Sequence, residues 1–171
     1  MKKYLLPTLL STLLVACSST GTSTTGAGVE DRSGAGVATV TAPEMSGSGI
    51  AALTDPNNIL SRRSVYFAFD SYSVSSEFTP LMEAHARFLS QNPDMRMLIQ
   101  GNTDERGSRE YNLALGQKRA EAVKQALIML GARESQIESV SLGEEKPRCS
   151  ESAESCYAEN RRGDMLYTGE F

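Results

Sequence analysis

Asp104 and Arg119 are an acid and a base whose surroundings could bring them to one small site. Asp104 falls in the polar run Asn102-Thr103-Asp104-Glu105-Arg106-Gly107, directly after an apolar stretch, and Gly107 frees the backbone to turn there. The residues beyond have a helical pattern in which Asn112, Leu115 and Arg119 recur at intervals of three and four, so they share one face. That face points back toward the loop that holds Asp104. The chemistry open to such a pair is charge-assisted hydrogen bonding. Spacing alone is met equally well by a plain surface ion pair, worth about 0–1 kcal/mol, or by two unrelated solvated charges. Bond-breaking machinery is not legible: no paired carboxylates, Ser/His, Cys/His or metal-ligand constellation stands out, so no catalytic or metal residue is assigned. His85, the single histidine, sits at an apolar helical position and reads as a half-buried structural residue. A net charge of −4 offers no basic excess for nucleic acid.

Elements able to position these residues begin near Leu60. Ser64 to Phe69 is β-branched and aromatic, as a buried strand should be. From Ser75 to Gln91, Phe78, Leu81, Met82, His85, Phe88 and Leu89 recur at helical spacing, and Asn92-Pro93 stops the helix. Met95 to Gln100 is a second strand. A long helix is expected over residues 108–130, with Leu113, Gly116, Ala120, Val123, Leu127 and Leu130 on its core stripe and Gly131 as C-cap. Ile137 to Leu142 and Asp164 to Thr168 read as further strands, separated by a polar segment that carries two cysteines. The class is α+β: a two-layer α/β sandwich of βαβαβ type, with a mixed sheet and helices on one face. Met82, Met95, Met97 and Met129 are expected to fill core gaps, and Glu105, Arg106 and Arg109 to form a hydrated rim. Glu144, Glu145 and Lys146 read as a solvated loop that Pro147 helps fix.

The N-terminus is an export signal by its physics. Lys2 and Lys3 precede an apolar run from Tyr4 to Ala16 that is too short to span a bilayer. The run ends in Leu14-Val15-Ala16-Cys17, which resembles the lipobox of bacterial lipoproteins. The resemblance implies cleavage after residue 16 and an N-acyl diacylglyceryl Cys17 as the new N-terminus, with no other cofactor. Ser18 after the cysteine, by the same resemblance, sorts the protein to the outer membrane, its domain in the periplasm. Residues 17–56, rich in Ser, Thr, Gly and Ala, are expected to be a flexible tether with a span of roughly 30–40 Å, and residues 57–171 the folded domain. With Cys17 lipidated, Cys149 and Cys156 remain as an even pair in an oxidising compartment, and a bridge between them is expected.

The pattern Thr103-Asp104-x-x-Gly107-x4-Asn112-x2-Leu115-x3-Arg119-Ala120 resembles the signature of the OmpA-like peptidoglycan-binding domain family. The blocks VYFAFDSY, GEEKP and AENRR resemble its peptidoglycan-associated lipoprotein branch, over about residues 62–167. That resemblance implies a noncovalent wall ligand, the diaminopimelate of uncrosslinked stem peptides. Asp104 would accept from its side-chain ammonium, and Arg119 would fork onto its carboxylate. Phe69, Asp70 and Tyr72 would form the opposite wall, Leu115 would pack on the ligand's methylenes, and Asn112 with Gly107 would brace the loop. Arg119→Ala is then expected to abolish wall binding and leave the fold intact. The implied partners are peptidoglycan, the β-propeller protein TolB and other Tol-system proteins. In the resembled family the segment between GEEKP and AENRR carries no cysteine, so the pair here is a departure. A pure protein-interaction module with a vestigial wall site is the alternative reading, and retention of both Asp104 and Arg119 speaks against it.

Overall fold

The computed structural model describes residues 47–170. Cys17, the signal segment and most of the expected tether lie outside the described residues. The tether is shorter than expected at its C-terminal end. Helix α1, Gly47–Thr54, occupies part of it; Leu53 enters the core and its carbonyl accepts from Arg63 Nη2 at 2.8 Å.

Strands β1 (Ser64–Tyr66), β2 (Met97–Asn102), β3 (Ile137–Gly143) and β4 (Arg162–Tyr167) alternate with helices α2 (Thr79–Gln91), α3 (Arg109–Met129) and α4 (Glu154–Asn160). They form one mixed sheet in the order β1-β4-β2-β3, with β2 and β3 parallel and the other pairs antiparallel. A parallel neighbour needs a long crossover, and α3 supplies it. The sheet register pairs Leu98 with Leu166 and Val65 with Gly163. Along β4, Gly163, Met165 and Tyr167 meet the core under the helices, while Arg162, Asp164 and Leu166 alternate to the other face. There Asp164 is satisfied by Ser64 Oγ, Arg148 and Arg162 at 2.7–2.8 Å, which is why a strand with two charged residues can be central.

β1 ends three residues earlier than the apolar run suggests. The carbonyls of Phe67 and Ala68 turn to Arg161 and Arg119 instead of a neighbouring strand. Helix α2 buries five of the six residues expected of it, the sixth, Phe78, being buried in the turn just before it, and α3 is capped by the Ser108 side chain on Tyr111 N–H and closed by Gly131 at φ +103°. The core stripe of α3 is corrected at two positions: Leu113 and Leu130 are exposed, and Asn112, Leu115 and Arg119 are buried in its N-terminal half. Met129 is also exposed, whereas Met82, Met95 and Met97 are core. The error at Leu113 comes from reading an apolar residue as inward where the inward face of the helix carries the polar site; Leu130 and Met129 lie at the far, C-terminal end of the helix.

His85 is fully buried, not half-buried. Its Nε2–H donates to the Arg62 carbonyl at 2.9 Å and its Nδ1 accepts from the Tyr167 hydroxyl at 2.7 Å. Burial lowers the imidazole from 6.5 to about 4; the Arg62 hydrogen bond opposes this and the charge of Arg63 adds to it. The unfolded chain therefore binds a proton between about pH 6.5 and pH 4 that the folded chain refuses, so stability falls as pH drops through that window. The expected slope is about 1.4 kcal/mol per pH unit at most. Urea unfolding across this range should show it in the native chain and lose it in His85→Gln; equal slopes would contradict the burial.

Candidate functional site

The loops after β1 and β2 and the first half of α3 meet over a cavity of about 230 Å³ lined by Phe69, Asp70, Thr103, Asp104, Gly107 and Arg119 among others. Helix and sheet approach closely enough to build it because Gly101 and Gly116 cross with no side chain between them. Asp70 adopts φ +53°, a left-handed conformation that costs a non-glycine residue energy. Its carboxylate is held by the hydroxyl of Tyr111.

Asp104 is 4% exposed and heavily engaged. Oδ1 accepts from Arg106 N at 3.1 Å and Arg106 Nε at 3.2 Å; Oδ2 accepts from Arg106 Nη2 at 2.7 Å and Arg161 Nη1 at 3.1 Å. Burial pushes its carboxyl up, but the hydrogen bonds from Arg106 and Arg161 outweigh burial and hold it below the ordinary carboxylate value. Arg161 also donates to the Phe67 carbonyl and to Glu154.

Arg119 has no exposed surface and forms the cavity floor. It does not pair with Asp104. Its Nε donates to Ser71 O at 2.8 Å, Nη1 to Asn102 O at 2.9 Å and Nη2 to Ala68 O at 3.3 Å, tying the loop after β1 to the end of β2. One N–H on each terminal nitrogen is left over, since a guanidinium carries five donors. Burial pushes Arg119 down to about 10, so it stays charged at neutral pH. Two buried oxygens beside it, Thr103 Oγ1 and Asn112 Oδ1, have no hydrogen-bond partner. A pocket with unpaired buried acceptors, a buried carboxylate and a donor fork is suited to a compact ligand bearing both an ammonium and a carboxylate.

Residues 66–161, which contain every one of these side chains, match the model of the OmpA family. The chain belongs to the OmpA family. It is 46% identical over 104 residues to the peptidoglycan-associated lipoprotein of Pasteurella multocida (strain Pm70), covering 61% of this chain and 69% of that one. Similarity to the peptidoglycan-associated lipoprotein of Pseudomonas putida runs nearly end to end, at 35% identity over 163 residues and 95% of both chains. The crystal structure of the peptidoglycan-associated lipoprotein from Burkholderia pseudomallei is similar at 56% identity and a TM-score of 0.67, over 68% of this chain and 99% of that one.

Within this OmpA-family fold the cavity gathers Phe69, Asp70, Asp104, Gly107, Asn112, Leu115 and Arg119, all singled out from sequence. Tyr72 is not among its lining. It stands instead beside Ala114, Lys118 and Ala122 on an exposed groove of α3, with the Lys118 ammonium 5.4 Å from its ring centroid. Asn112 makes no hydrogen bond to Asp104; its Nδ2 donates to Glu144, and its amide lies against Gly107 of the loop it was expected to brace. Arg106 and Arg161 are the site residues that sequence reasoning missed. Arg106 was read as hydrated rim, and Arg161 stood unremarked in the AENRR block, whose family resemblance was its only signal. The Cys149–Cys156 bridge, with Cα atoms 5.3 Å apart, ties the preceding loop to α4, the helix that carries Glu154, Tyr157 and, at its end, Arg161.

Proposed function

We propose that the chain is an outer-membrane lipoprotein, anchored by an N-acyl diacylglyceryl group on Cys17, that grips the peptidoglycan wall noncovalently and performs no chemistry on it. The observation that carries this reading is the convergence of Asp104, Asn112, Leu115 and Arg119, residues of the family motif, on one cavity. The side-chain end of diaminopimelate in an uncrosslinked stem peptide is the proposed ligand. Its carboxylate takes the two free N–H groups of Arg119, a bidentate contact suited to guanidinium. Its ammonium goes to Asp104, with Asn112 Oδ1 and Thr103 Oγ1 as further acceptors. Leu115 packs on its methylenes, and Phe69 and Asp70 close the opposite wall. Tyr72, set on the α3 groove, stays outside this set. Through TolB and other Tol-system proteins, the same domain couples the outer membrane to the wall during envelope maintenance and division. No nucleic acid enters this role.

The full-length chain in detergent should sediment with purified sacculi of diaminopimelate type, and a soluble stem peptide ending in diaminopimelate should release it. Sedimentation that free peptide leaves unchanged would remove the pocket from the mechanism. A second reading draws on the same geometry, because Asp104 is already saturated by arginines and Arg119 is closed to solvent. Under it the chain is an interaction module with a weak or vestigial wall site. That reading predicts capture of TolB with no sedimentation on sacculi.

A further inference from the structure

An incoming ammonium needs a lone pair on Asp104, yet that carboxylate already accepts three hydrogen bonds from Arg106 and one from Arg161. The two arginines are held differently. Arg161 is buried and locked by the Phe67 carbonyl and Glu154 as well. The Arg106 side chain is 36% exposed, and its guanidinium lies over the rings of Phe69 and Tyr157, 4.2 and 4.4 Å from their centroids. Its Nη1 is 3.2 Å from Glu154, an exposed carboxylate at the start of α4. Gly107, at φ +114°, follows it directly in the chain.

Resting on the wall-binding reading above, we propose that Arg106 is an internal stand-in for the ligand's ammonium, holding Asp104 until a cationic group displaces it toward Glu154. Exchange of one cation for another keeps the charge balance around a buried carboxylate, which is costly to leave bare. Arg161 stays in place throughout, so Asp104 always keeps one partner. Glu154 gives the displaced guanidinium a ready counter-charge, and the two aromatic faces give it a surface along which to slide. A ligand without the ammonium has nothing to offer Asp104 in place of Arg106, so the exchange selects for a cation as well as a carboxylate.

Calorimetric titration of the full-length chain, Arg106→Ala and Arg106→Lys with a diaminopimelate stem peptide and with its side-chain N-acetyl form tests this. Removing the competitor should tighten binding of the free-amine peptide roughly fivefold in Arg106→Ala. Arg106→Lys, which keeps a cation on Asp104, should restore native affinity, and the acetylated peptide should gain nothing from either substitution. Binding by Arg106→Ala alone would support the exchange in stronger form. Equal or weaker binding by Arg106→Ala, where the native chain does bind, would overturn the exchange and leave the wall-binding reading standing. Binding by none of the three proteins would bring down both.

Discussion

Gly101→Ala is expected to remove more than about 4 kcal/mol of folding stability, a large share of the roughly 5–15 kcal/mol that holds a domain of this size. A Cβ at residue 101 would stand 1.8 Å from the Gly116 carbonyl oxygen, 2.7 Å from its carbon and 3.1 Å from the Ala120 nitrogen. All three are backbone atoms of α3, so no rotamer change relieves the overlap. The helix would have to lift off β2, and lifting it opens the core through Ala120, Val123 and Leu127 and displaces Arg119 from the carbonyls it bonds. Gly116→Ala should be milder. Its new Cβ would meet Ser141 Oγ at 2.3 Å, a side chain able to rotate, and Gly101 O at 2.9 Å. Urea unfolding should rank the native chain above Gly116→Ala and that above Gly101→Ala. A Gly101→Ala protein within about 1 kcal/mol of native stability would contradict the close crossing.

Arg119→Lys is expected to lose wall binding by at least about 100-fold and, at the same time, about 2–4 kcal/mol of stability. The second effect follows from geometry that sequence reasoning did not foresee. Three carbonyls, Ser71, Asn102 and Ala68, depend on the guanidinium, and a lysine ammonium cannot span positions that one planar fork reaches together. Arg119→Ala removes all three donors, so the expectation that it would leave the fold intact is withdrawn. Loop residues Phe69 and Asp70, the latter in a strained left-handed conformation, rely on this tie. Binding should be measured well below each variant's unfolding transition, with stability measured in parallel by urea. A lysine variant that keeps both native stability and native affinity would show that neither the tie nor the fork matters.

The element order was largely legible because helical spacing, β-branched and aromatic runs and turn residues follow one another along the chain. The three-four spacing at α2 reflects burial directly, and the turn signals at Asn92-Pro93 and Gly131 mark real ends. Less visible were features that depend on contacts far apart in sequence. Arg161 reaches Asp104 from 57 residues away, and nothing local distinguishes it from a solvated arginine. Arg106 lies two residues from Asp104, and a charge run of that kind is most often surface. Its hydrogen bonds to Asp104 and the rings of Phe69 and Tyr157, brought in by other elements, mark it as part of the site. Helix α3 misled at Leu113 because its N-terminal half turns polar residues inward, toward a cavity, in place of apolar ones toward a core. Tyr72 shows the reverse error: it is close in sequence to Phe69 and Asp70, but the chain turns between them and puts it on another surface.

The central claim is that the cavity reads both ends of a zwitterion. Isothermal titration of the full-length chain with two stem peptides, one ending in diaminopimelate and one carrying lysine at that position, tests it most directly, because they differ only by the side-chain carboxylate. Binding of the diaminopimelate peptide with little or none of the lysine peptide is the predicted result, and it puts the Arg119 floor at the centre of recognition. Equal affinity for the two would contradict it, since the carboxylate would then contribute nothing.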